Sequence, residues 1–258
     1  MDRIEGRTVL VTGASAGIGR ACARRFAASG AALVLWARRL ERLEQLADEL
    51  RAARDADVRV AGVDVRDRDA VELEAARLAD GGVVPDILVN NAGLASGLDP
   101  IQEGDPEDWD RMIDTNVKGL LNVSRAFLPR MIEAGRGHVI NLGSTAGHQV
   151  YPRGNVYNAS KFAVKALTEG MNVDLAGTPV RVSSVDPGFV QTEFSKVRFH
   201  GDEERAETVY EGFRPLTAED VADTVHYVAS APDHVNVFRV ILLPAAQRNV
   251  YVLDRDEG

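Results

Sequence analysis

The sequence predicts an α/β fold in which a parallel sheet of about seven strands is flanked by helices on both faces. Short apolar, β-rich runs alternate along the chain with helical stretches of about 10 to 15 residues, an order typical of right-handed βαβ units. The strand runs are apolar throughout, as expected where both faces of a sheet are covered. Glycine-rich or polar motifs follow several strands, at the edge where such sheets bind their ligands.

Composition limits the class of protein. The 258 residues are 45% apolar and 27% charged, which is ordinary for a globular chain. We find no internal repeat and no shift in composition, and we therefore expect one domain over residues 1–258. The net charge of −9 argues against binding to nucleic acid or to an anionic membrane.

Location and metal content follow from what the sequence lacks. No apolar run approaches the ~20 residues that span a bilayer, and Met1–Gly6 does not resemble a secretory signal, so we expect a cytoplasmic protein. Cys22 is the single cysteine, which excludes an internal disulfide and a thiolate metal cluster. We expect no metal site.

The first strand, Thr8–Val11, leads directly into a glycine-rich turn, Thr12–Gly19. Glycine lets the backbone approach a ligand closely, and the N–H groups at the start of the following helix favour an anion such as a pyrophosphate. The spacing is G-x-x-x-G-x-G, so a Rossmann-type dinucleotide site is inferred from mechanism rather than from the G-x-G-x-x-G fingerprint. The alternative is a plain turn. The expected cofactor contacts are Gly13, Ser15, Gly17, Ile18 and Gly19.

The second strand, Ala32–Trp36, is followed by two arginines and no acid. In dinucleotide-binding folds an acid at this point binds the ribose 2′-hydroxyl, whereas arginine accommodates a 2′-phosphate. We therefore predict that Arg38 and Arg39 select NADP(H) over NAD(H). The alternative is that both arginines only begin the polar face of the helix over Leu40–Arg54.

The third and fourth strands, Val58–Val63 and Asp86–Val89, are separated by a helix over Asp67–Ala79. Because the strands are parallel, their carboxyl ends meet at the edge that carries the glycine-rich turn. The residues that follow these strands and that we expect at the cofactor are Asp64, Val65, Asn90, Asn91 and Gly93.

A helix is expected from Asp105 and Pro106 past Asn116 towards Met131, because an N-cap residue and a proline mark its start. The fifth strand, Val139–Leu142, then ends in Gly143 and Ser144. Thirteen residues after this serine comes Tyr157, and Lys161 follows four residues later.

The spacing of Tyr157 and Lys161 places both side chains on one face of a helix. A fixed ammonium favours a nearby phenolate, and we expect it to lower the pKa of the tyrosine towards the range useful for proton transfer. Considered alone, the motif is more simply interpreted as a helix with a half-buried tyrosine and an exposed lysine.

The sixth strand, Val180–Val185, ends before Asp186-Pro187-Gly188, and Val240–Leu243 is the seventh. The polar segment 189–214 lies between them at the ligand edge and includes a charged helix from Asp202. A long insertion at this edge is typical of a substrate lid. We expect Pro187, Gly188, Val190 and Thr192 at the cofactor.

These motifs together resemble the short-chain dehydrogenase/reductase family over nearly the whole chain. The resemblance rests on Thr12–Gly19, Asn90–Gly93, Asn116, Ser144, Tyr157-x-x-x-Lys161 and Pro187-Gly188. Within the family, other segments resemble the NADP-dependent 3-hydroxy acid dehydrogenases that act on L-allo-threonine and serine. These segments are Trp109–Asn116, Gly143–Gly147, Thr192–Phe199 and Gly201-Asp202. His148-Gln149-Val150 departs from the pattern, which leaves the exact substrate open.

The resemblance implies a role for four residues. Tyr157 would be the general acid in reduction and the base in oxidation, and Lys161 would lower its pKa and hold the nicotinamide ribose. Ser144 would bind the carbonyl oxygen, and Asn116 would order a water that relays protons. The resemblance also implies a homotetramer.

A carboxylate substrate requires a cation, and Arg198 is the first candidate because it lies in the segment that resembles the hydroxy acid branch. Arg153, Lys196 and His200 are further candidates, and an exposed loop charge is the alternative for each. The leading hypothesis is an NADP-dependent oxidoreductase of a 3-hydroxy acid or β-hydroxy amino acid, such as serine, L-allo-threonine or a 3-hydroxypropionate-like compound. The alternatives are a broad-specificity carbonyl or ketone reductase and a non-catalytic NADP-sensing protein.

Overall fold

The computed structural model describes residues 3–255 and contains one parallel sheet of seven strands in the order β3-β2-β1-β4-β5-β6-β7. Residues 1, 2 and 256–258 of the range expected for the domain lie outside the described part. The seven predicted strands are confirmed, with ends that differ by one or two residues. They are β1 Thr8–Thr12, β2 Ala32–Ala37, β3 Val58–Gly62, β4 Ile87–Asn90, β5 Gly137–Leu142, β6 Val180–Pro187 and β7 Arg239–Leu242.

The helices cover both faces of the sheet. They are α1 Gly17–Ala28, α2 Leu40–Arg54, α3 Arg68–Asp80, α4 Pro106–Ile113, α5 Leu120–Glu133, α6 Asn155–Asp174, α7 Phe194–Arg198, α8 Glu203–Thr208 and α9 Ala218–Ala229. The helix expected from Pro106 to Met131 is interrupted by a wider, π-helical turn over Asp114–Gly119, which joins α4 to α5.

Alternation along the strands divides the core into two layers. On β1, Val9 and Val11 pack with α1, α2 and α9, whereas Leu10 packs with α3 and α5 on the opposite face. On β2, Leu35 packs in the layer of α1, α2 and α9, and Trp36 packs in the layer of α3 and α5. Successive strand side chains point to opposite faces, so apolar strand residues at consecutive positions supply both layers. The doubly wound architecture predicted from the sequence is confirmed.

Two helices, α7 and α9, were not predicted from the sequence. The helix α7 has only five residues inside a polar segment, which is too short to show a helical period. The helix α9 has a clear start signal, because Thr217 and Asp220 form a capping box in which each side chain accepts from the other's backbone N–H. This Thr-x-x-Asp pattern precedes an apolar run and would have located α9.

The strand order fixes where a ligand can bind. The chain runs from β1 outward to β2 and β3, and then returns to place β4 on the other side of β1. The carboxyl ends of β1 and β4 therefore flank the point at which the winding direction reverses, where doubly wound sheets form their binding crevice. Within residues 3–255, no helix combines the length and the apolar character needed to cross a membrane.

Candidate active site

A cleft of about 350 Å³ lies over the carboxyl ends of the strands and runs from the glycine-rich turn to α6. Most residues expected at the cofactor or in catalysis line it. These are Gly13, Ser15, Gly17, Ile18, Arg38, Arg39, Asp64, Val65, Asn91, Gly93, Ser144, Tyr157, Lys161, Pro187, Gly188, Val190 and Thr192. The size and the residues of this cleft suit a bound nucleotide cofactor.

Gly19 and Asn90, which were also predicted at the cofactor, do not line the cleft. A Cβ atom on Gly19 would lie 2.5 Å from the carbonyl oxygen of Gly13, so this glycine permits α1 to pack closely under the turn. The Asn90 amide is buried and donates to Ser124 and Asn141 at 3.0 and 2.9 Å. Both residues shape the cleft from beneath its surface.

The glycine-rich turn leaves donors at the start of α1 available. Gly13 and Gly17 have φ angles of +68° and +50°, a region that favours glycine. Ala16 caps α1 and has no side-chain acceptor, and the first turn of α1 holds no acid. Among the described residues, no capping side chain therefore accepts from the first N–H groups of this helix, which is the arrangement that binds a phosphate group.

Three arginines gather at the end of β2. Arg39 donates to the Ser15 hydroxyl at 3.1 and 3.3 Å and to Glu193 at 3.2 Å. Arg42, which the sequence analysis did not identify, also donates to Glu193, at 3.0 and 3.1 Å. Arg38 is exposed in the cleft near Asp64. The three-residue spacing of Arg39 and Arg42 places them together on the first turn of α2.

Two carboxylates of the cleft are already paired with arginine. Arg66 donates to Asp64 at 2.6 and 3.0 Å, and these hydrogen bonds lower the pKa of Asp64. Partial burial opposes ionisation of Glu193, but hydrogen bonds from Arg39 and Arg42 outweigh it and lower the pKa of that carboxyl. Both groups are therefore anionic at neutral pH.

Tyr157 is buried on α6, and its ring packs edge-on against Phe194 with centroids 5.6 Å apart. Burial raises the pKa of Tyr157 to about 12, although the positive charge of Arg198 and a hydrogen bond with Ser144 lower it. The expectation of a lowered pKa is therefore wrong for this arrangement. The reason is that loss of hydration outweighs the nearby cation.

Lys161 is also buried, and its ammonium donates to the carbonyl oxygen of Leu142 at 2.9 Å. The same ammonium lies 6.0 Å from the centroid of the Tyr157 ring. Burial lowers the pKa of Lys161 to about 8, and the negative charge of Asp186 opposes this effect. The tyrosine and lysine lie on one helix face, as the spacing predicted, but in a drier environment than expected.

Ser144 follows β5 in an extended conformation. Its hydroxyl oxygen accepts from the backbone N–H of Ala146 at 3.1 Å, and its proton points to the carbonyl oxygen of Pro187 at a long 3.4 Å. Hydroxyl donors normally form bonds of about 2.7–2.8 Å, so this contact is weak. The Ser144 hydroxyl is thus only weakly held by the main chain and lies within reach of Tyr157.

The side chain of Asn116 is fully engaged in structural hydrogen bonds. It lies in the π-helical turn, accepts from the N–H of Leu94 at 2.8 Å, and donates to the carbonyl oxygen of Leu94 at 2.8 Å and to Ser160 at 3.0 Å. A water contact of the kind implied by the family resemblance would have to come from its main chain. The visible role of the amide is to hold the segment after β4 against α6.

Arg198, the last residue of α7, lies close to Tyr157. Its guanidinium carbon lies 5.0 Å from the centroid of the Tyr157 ring, and it donates to the Tyr151 hydroxyl at 2.5 Å. The Nε atom of Arg198 is buried and has no hydrogen-bond partner within residues 3–255. A buried guanidinium donor without a partner carries a desolvation cost that an anionic ligand would relieve.

The other cations proposed for a substrate carboxylate have acidic residues near them. Arg153 is exposed and lines a small pocket beside α4, together with Asp99, Asp105, Asp108 and Tyr157. Lys196 pairs with Glu203 at 2.7 Å, and His200 contacts Asp108 at 3.0 Å. These three groups already have acidic neighbours, whereas Arg198 faces aromatic rings.

Comparison with known proteins supports one family. The model of the short chain dehydrogenase family matches residues 7–203. The chain is 49% identical over 240 residues to an NADP-dependent 3-hydroxy acid dehydrogenase from Salmonella typhi, covering 93% of this chain and 95% of the relative. It is 47% identical over 250 residues to sulfoacetaldehyde reductase 2 from Chromohalobacter salexigens, covering 96% and 98% of the two chains. The closed form of a serine dehydrogenase complexed with NADP⁺ has a TM-score of 0.89 at 46% identity, covering 93% and 96%.

Proposed function

The chain belongs to the short-chain dehydrogenase family of oxidoreductases, and on that premise we propose that it interconverts a small anionic hydroxy compound and its carbonyl counterpart with NADP(H). The substrates we propose are 3-hydroxy acids and β-hydroxy amino acids, namely serine, L-allo-threonine and 3-hydroxypropionate-like compounds. The observation that carries this proposal is the position of Arg198, whose guanidinium lies 5.0 Å from the ring centroid of Tyr157.

Residues of the cleft support NADP(H) as cofactor. The open N–H groups at the start of α1 would hold the pyrophosphate, and the glycine at position 13 allows its close approach. Arg38 and Arg39 lie where the adenosine ribose binds in this fold, and no acid follows β2. The relative from Salmonella typhi is NADP-dependent, and the solved serine dehydrogenase holds NADP⁺.

The proton chemistry follows from the side chains around Tyr157. A tyrosine with a pKa of about 12 is protonated at neutral pH and can donate its phenolic proton to a carbonyl oxygen as negative charge develops there. The Ser144 hydroxyl supplies a second hydrogen bond to that oxygen. The Lys161 charge favours the phenolate once the proton has left. Nicotinamide, when bound, supplies or accepts the hydride.

Arg198 supports an anionic group on the substrate because its guanidinium lies beside the Tyr157 ring and its buried Nε atom has no hydrogen-bond partner among the described residues. Guanidinium forms charge-assisted hydrogen bonds with carboxylate and with other oxyanions. A sulfonate meets the same requirement, and the relative from Chromohalobacter salexigens reduces an aldehyde that carries one. A small sulfonated aldehyde is therefore the second candidate substrate.

The experiment that tests this function is a substrate panel with purified protein. We expect NADPH oxidation with 3-oxo acids or sulfonated aldehydes, and much lower kcat/KM with uncharged aldehydes and ketones of the same size. Equal efficiency for charged and uncharged compounds would favour the broad carbonyl reductase. Tight NADPH binding without turnover on any of them would favour the sensing protein.

A substitution at the tyrosine tests the mechanism separately. We expect Tyr157→Phe to lower kcat by about 10²–10⁴-fold, the usual contribution of general acid–base catalysis, without loss of NADPH binding. Tyr251→Phe is the matched control, because that tyrosine is exposed near the carboxyl end of the described residues. Near-normal turnover by a folded Tyr157→Phe protein would contradict the assigned role.

Two further aspects of the family resemblance belong to this proposal. We propose that residues 189–214 close over the substrate, because this segment brings Phe194 and Arg198 to Tyr157. We also propose a homotetramer, for which exposed apolar side chains such as Phe162 and Val173 on α6 offer contact area. Light scattering of the purified protein measures the assembly. Location in the cytoplasm stays a prediction from the sequence.

A further inference from the structure

A carboxylate from the loop after β6 accepts hydrogen bonds from two arginines near the glycine-rich end of the cleft. Glu193 accepts from Arg39 at 3.2 Å and from Arg42 at 3.0 and 3.1 Å. We call these three residues the Glu193 bridge. The bridge joins segments about 150 residues apart in sequence, and Glu193 and Arg39 line the same cleft as the tyrosine and lysine of α6.

The Glu193 bridge uses donors that a phosphate group would need. The Nε and Nη2 groups of Arg39 point to Ser15, and its Nη1 group points to Glu193. A phosphate monoester is close to doubly charged at neutral pH and seeks several guanidinium donors at once. It would therefore compete with the carboxylate for the same N–H groups, and the two anions would repel each other.

The segment that carries Glu193 also contacts both ends of the cleft. A Cβ atom on Gly17, in the glycine-rich turn, would lie 3.3 Å from the Thr192 side chain. On the other side of Glu193, Phe194 packs on the Tyr157 ring. Glu193 is thus flanked in the chain by one residue at the glycine-rich turn and one at the tyrosine.

We propose that Glu193 competes with the 2′-phosphate of NADP(H) for Arg39 and Arg42. Binding of the phosphate displaces the Glu193 carboxylate from both arginines. NAD(H) lacks the phosphate and leaves the bridge intact. The inference rests on the proposed NADP(H) use, and it makes Glu193 a residue that sets cofactor selectivity.

The test uses Glu193→Gln, which keeps the size of the side chain and removes its charge. We expect the variant to bind adenosine 2′,5′-bisphosphate about two- to tenfold more tightly than the wild-type protein does, the range that one or two exposed ion pairs represent. Binding of adenosine 5′-monophosphate, which lacks the 2′-phosphate, should not change. Isothermal titration calorimetry measures both ligands without any need for turnover.

Glu49→Gln is a matched control. Glu49 also bridges two arginines, Arg20 and Arg24, at 2.9 and 2.7 Å, and it is 46% exposed against 47% for Glu193. These arginines do not line the cleft. The control therefore removes the same charge and a similar bridge, and we expect its affinity for both ligands to equal that of the wild-type protein.

Thermal unfolding of the variants confirms that they are folded.

Several outcomes would overturn the inference. These are unchanged or weaker bisphosphate binding by Glu193→Gln, an equal gain for the monophosphate, or an equal gain in Glu49→Gln. Failure of the proposed NADP(H) use has a different signature. In that case the wild-type protein itself would bind the bisphosphate no better than the monophosphate.

Discussion

The ammonium of Lys161 donates a hydrogen bond to the main-chain carbonyl of Leu142, the last residue of β5, at 2.9 Å. The ammonium makes this contact in the protein interior, and burial lowers the pKa of Lys161 from 10.5 to about 8. The lysine is therefore held in the cleft at a cost in folding free energy. A cation retained against such a cost is typical of a functional site.

Lys161→Met should change the pH dependence of stability in a defined window. Below pH 8 the lysine is charged in the folded and the unfolded protein, and the full penalty of burial applies. Between pH 8 and 10.5 the folded protein releases the proton first, so wild-type stability rises with pH. We expect the variant to lack this rise, which amounts to about 3 kcal/mol at 1.36 kcal/mol per pKa unit.

Urea unfolding at a series of pH values, without added nucleotide, measures the effect as the difference between wild type and variant. Lys165→Met, one turn later on α6 and half-buried, is the control and should keep the wild-type rise. Parallel stability curves for wild type and Lys161→Met from pH 7 to 10.5 would contradict the lowered pKa.

Arg198→Met should lower kcat/KM for an anionic substrate by about 10- to 100-fold, because a hydrogen bond to a charged group contributes about 1.5–3 kcal/mol. For an uncharged aldehyde the change should be within a few fold. Arg153→Met is the comparison variant, because Arg153 is exposed and lines a small pocket together with three aspartates and Tyr157. Steady-state kinetics with both substrate types measure the ratio. A larger loss in Arg153→Met would transfer the anion-binding role to that residue.

The fold was predictable because its signals are local. Each strand is a short apolar run bounded by glycine, proline or polar residues, and Leu40–Arg54 was delimited correctly by its composition alone. The π-helical turn at Asp114–Gly119 was not predictable. It depends on the tertiary contact of the Asn116 amide with Leu94 and Ser160, and no periodicity in the sequence encodes that contact.

The site was predictable only where its residues follow strands or share a helix face. Tyr157 and Lys161 were identified by spacing, but the raised pKa of the tyrosine comes from burial under Phe194 and its neighbours, which sequence spacing does not reveal. Glu193 and Arg42 were missed for a related reason. Their bridge joins two segments about 150 residues apart, and each residue resembles an ordinary surface charge when considered alone.

His138 should make the protein sensitive to acid. It lies buried on β5 with its Nε2 atom 2.8 Å from the Ser183 hydroxyl, and burial lowers its pKa from 6.5 to about 3. Between pH 6.5 and 3 the unfolded chain binds a proton that the folded protein excludes, so stability falls as the pH falls. This contribution is about 1.4 kcal/mol per pH unit over most of the window.

We expect His138→Gln, which retains hydrogen-bonding groups near Ser183, to remove this share of the acid sensitivity. His234→Gln is the control, because His234 is exposed and lies on a turn after α9. Chemical unfolding at pH values from 4 to 7 gives the two slopes. An unchanged slope in His138→Gln would show that other groups account for the acid response.

Gly143 should be intolerant of any side chain, because the turn after β5 packs directly on a buried carboxylate. A Cβ atom at this position would overlap Oδ1 of Asp186 and lie 2.8 Å from its Cγ. Asp186 cannot easily move, since it is buried and its Oδ2 lies 2.6 Å from Nε2 of His148. We expect Gly143→Ala to destabilise the protein by about 1–3 kcal/mol, the usual cost of overpacking.

The same substitution should also displace Ser144, the next residue, and lower kcat even under conditions where the protein remains folded. Gly170→Ala is the matched control. A Cβ atom there has no neighbour within 4 Å, and the position is inside α6, so alanine should stabilise the helix by about 0.5–1 kcal/mol. Thermal unfolding and turnover of the two variants distinguish a steric clash at position 143 from a general effect of replacing glycine with alanine. If Gly143→Ala matched Gly170→Ala in both, the contact with Asp186 would not constrain the turn that positions Ser144.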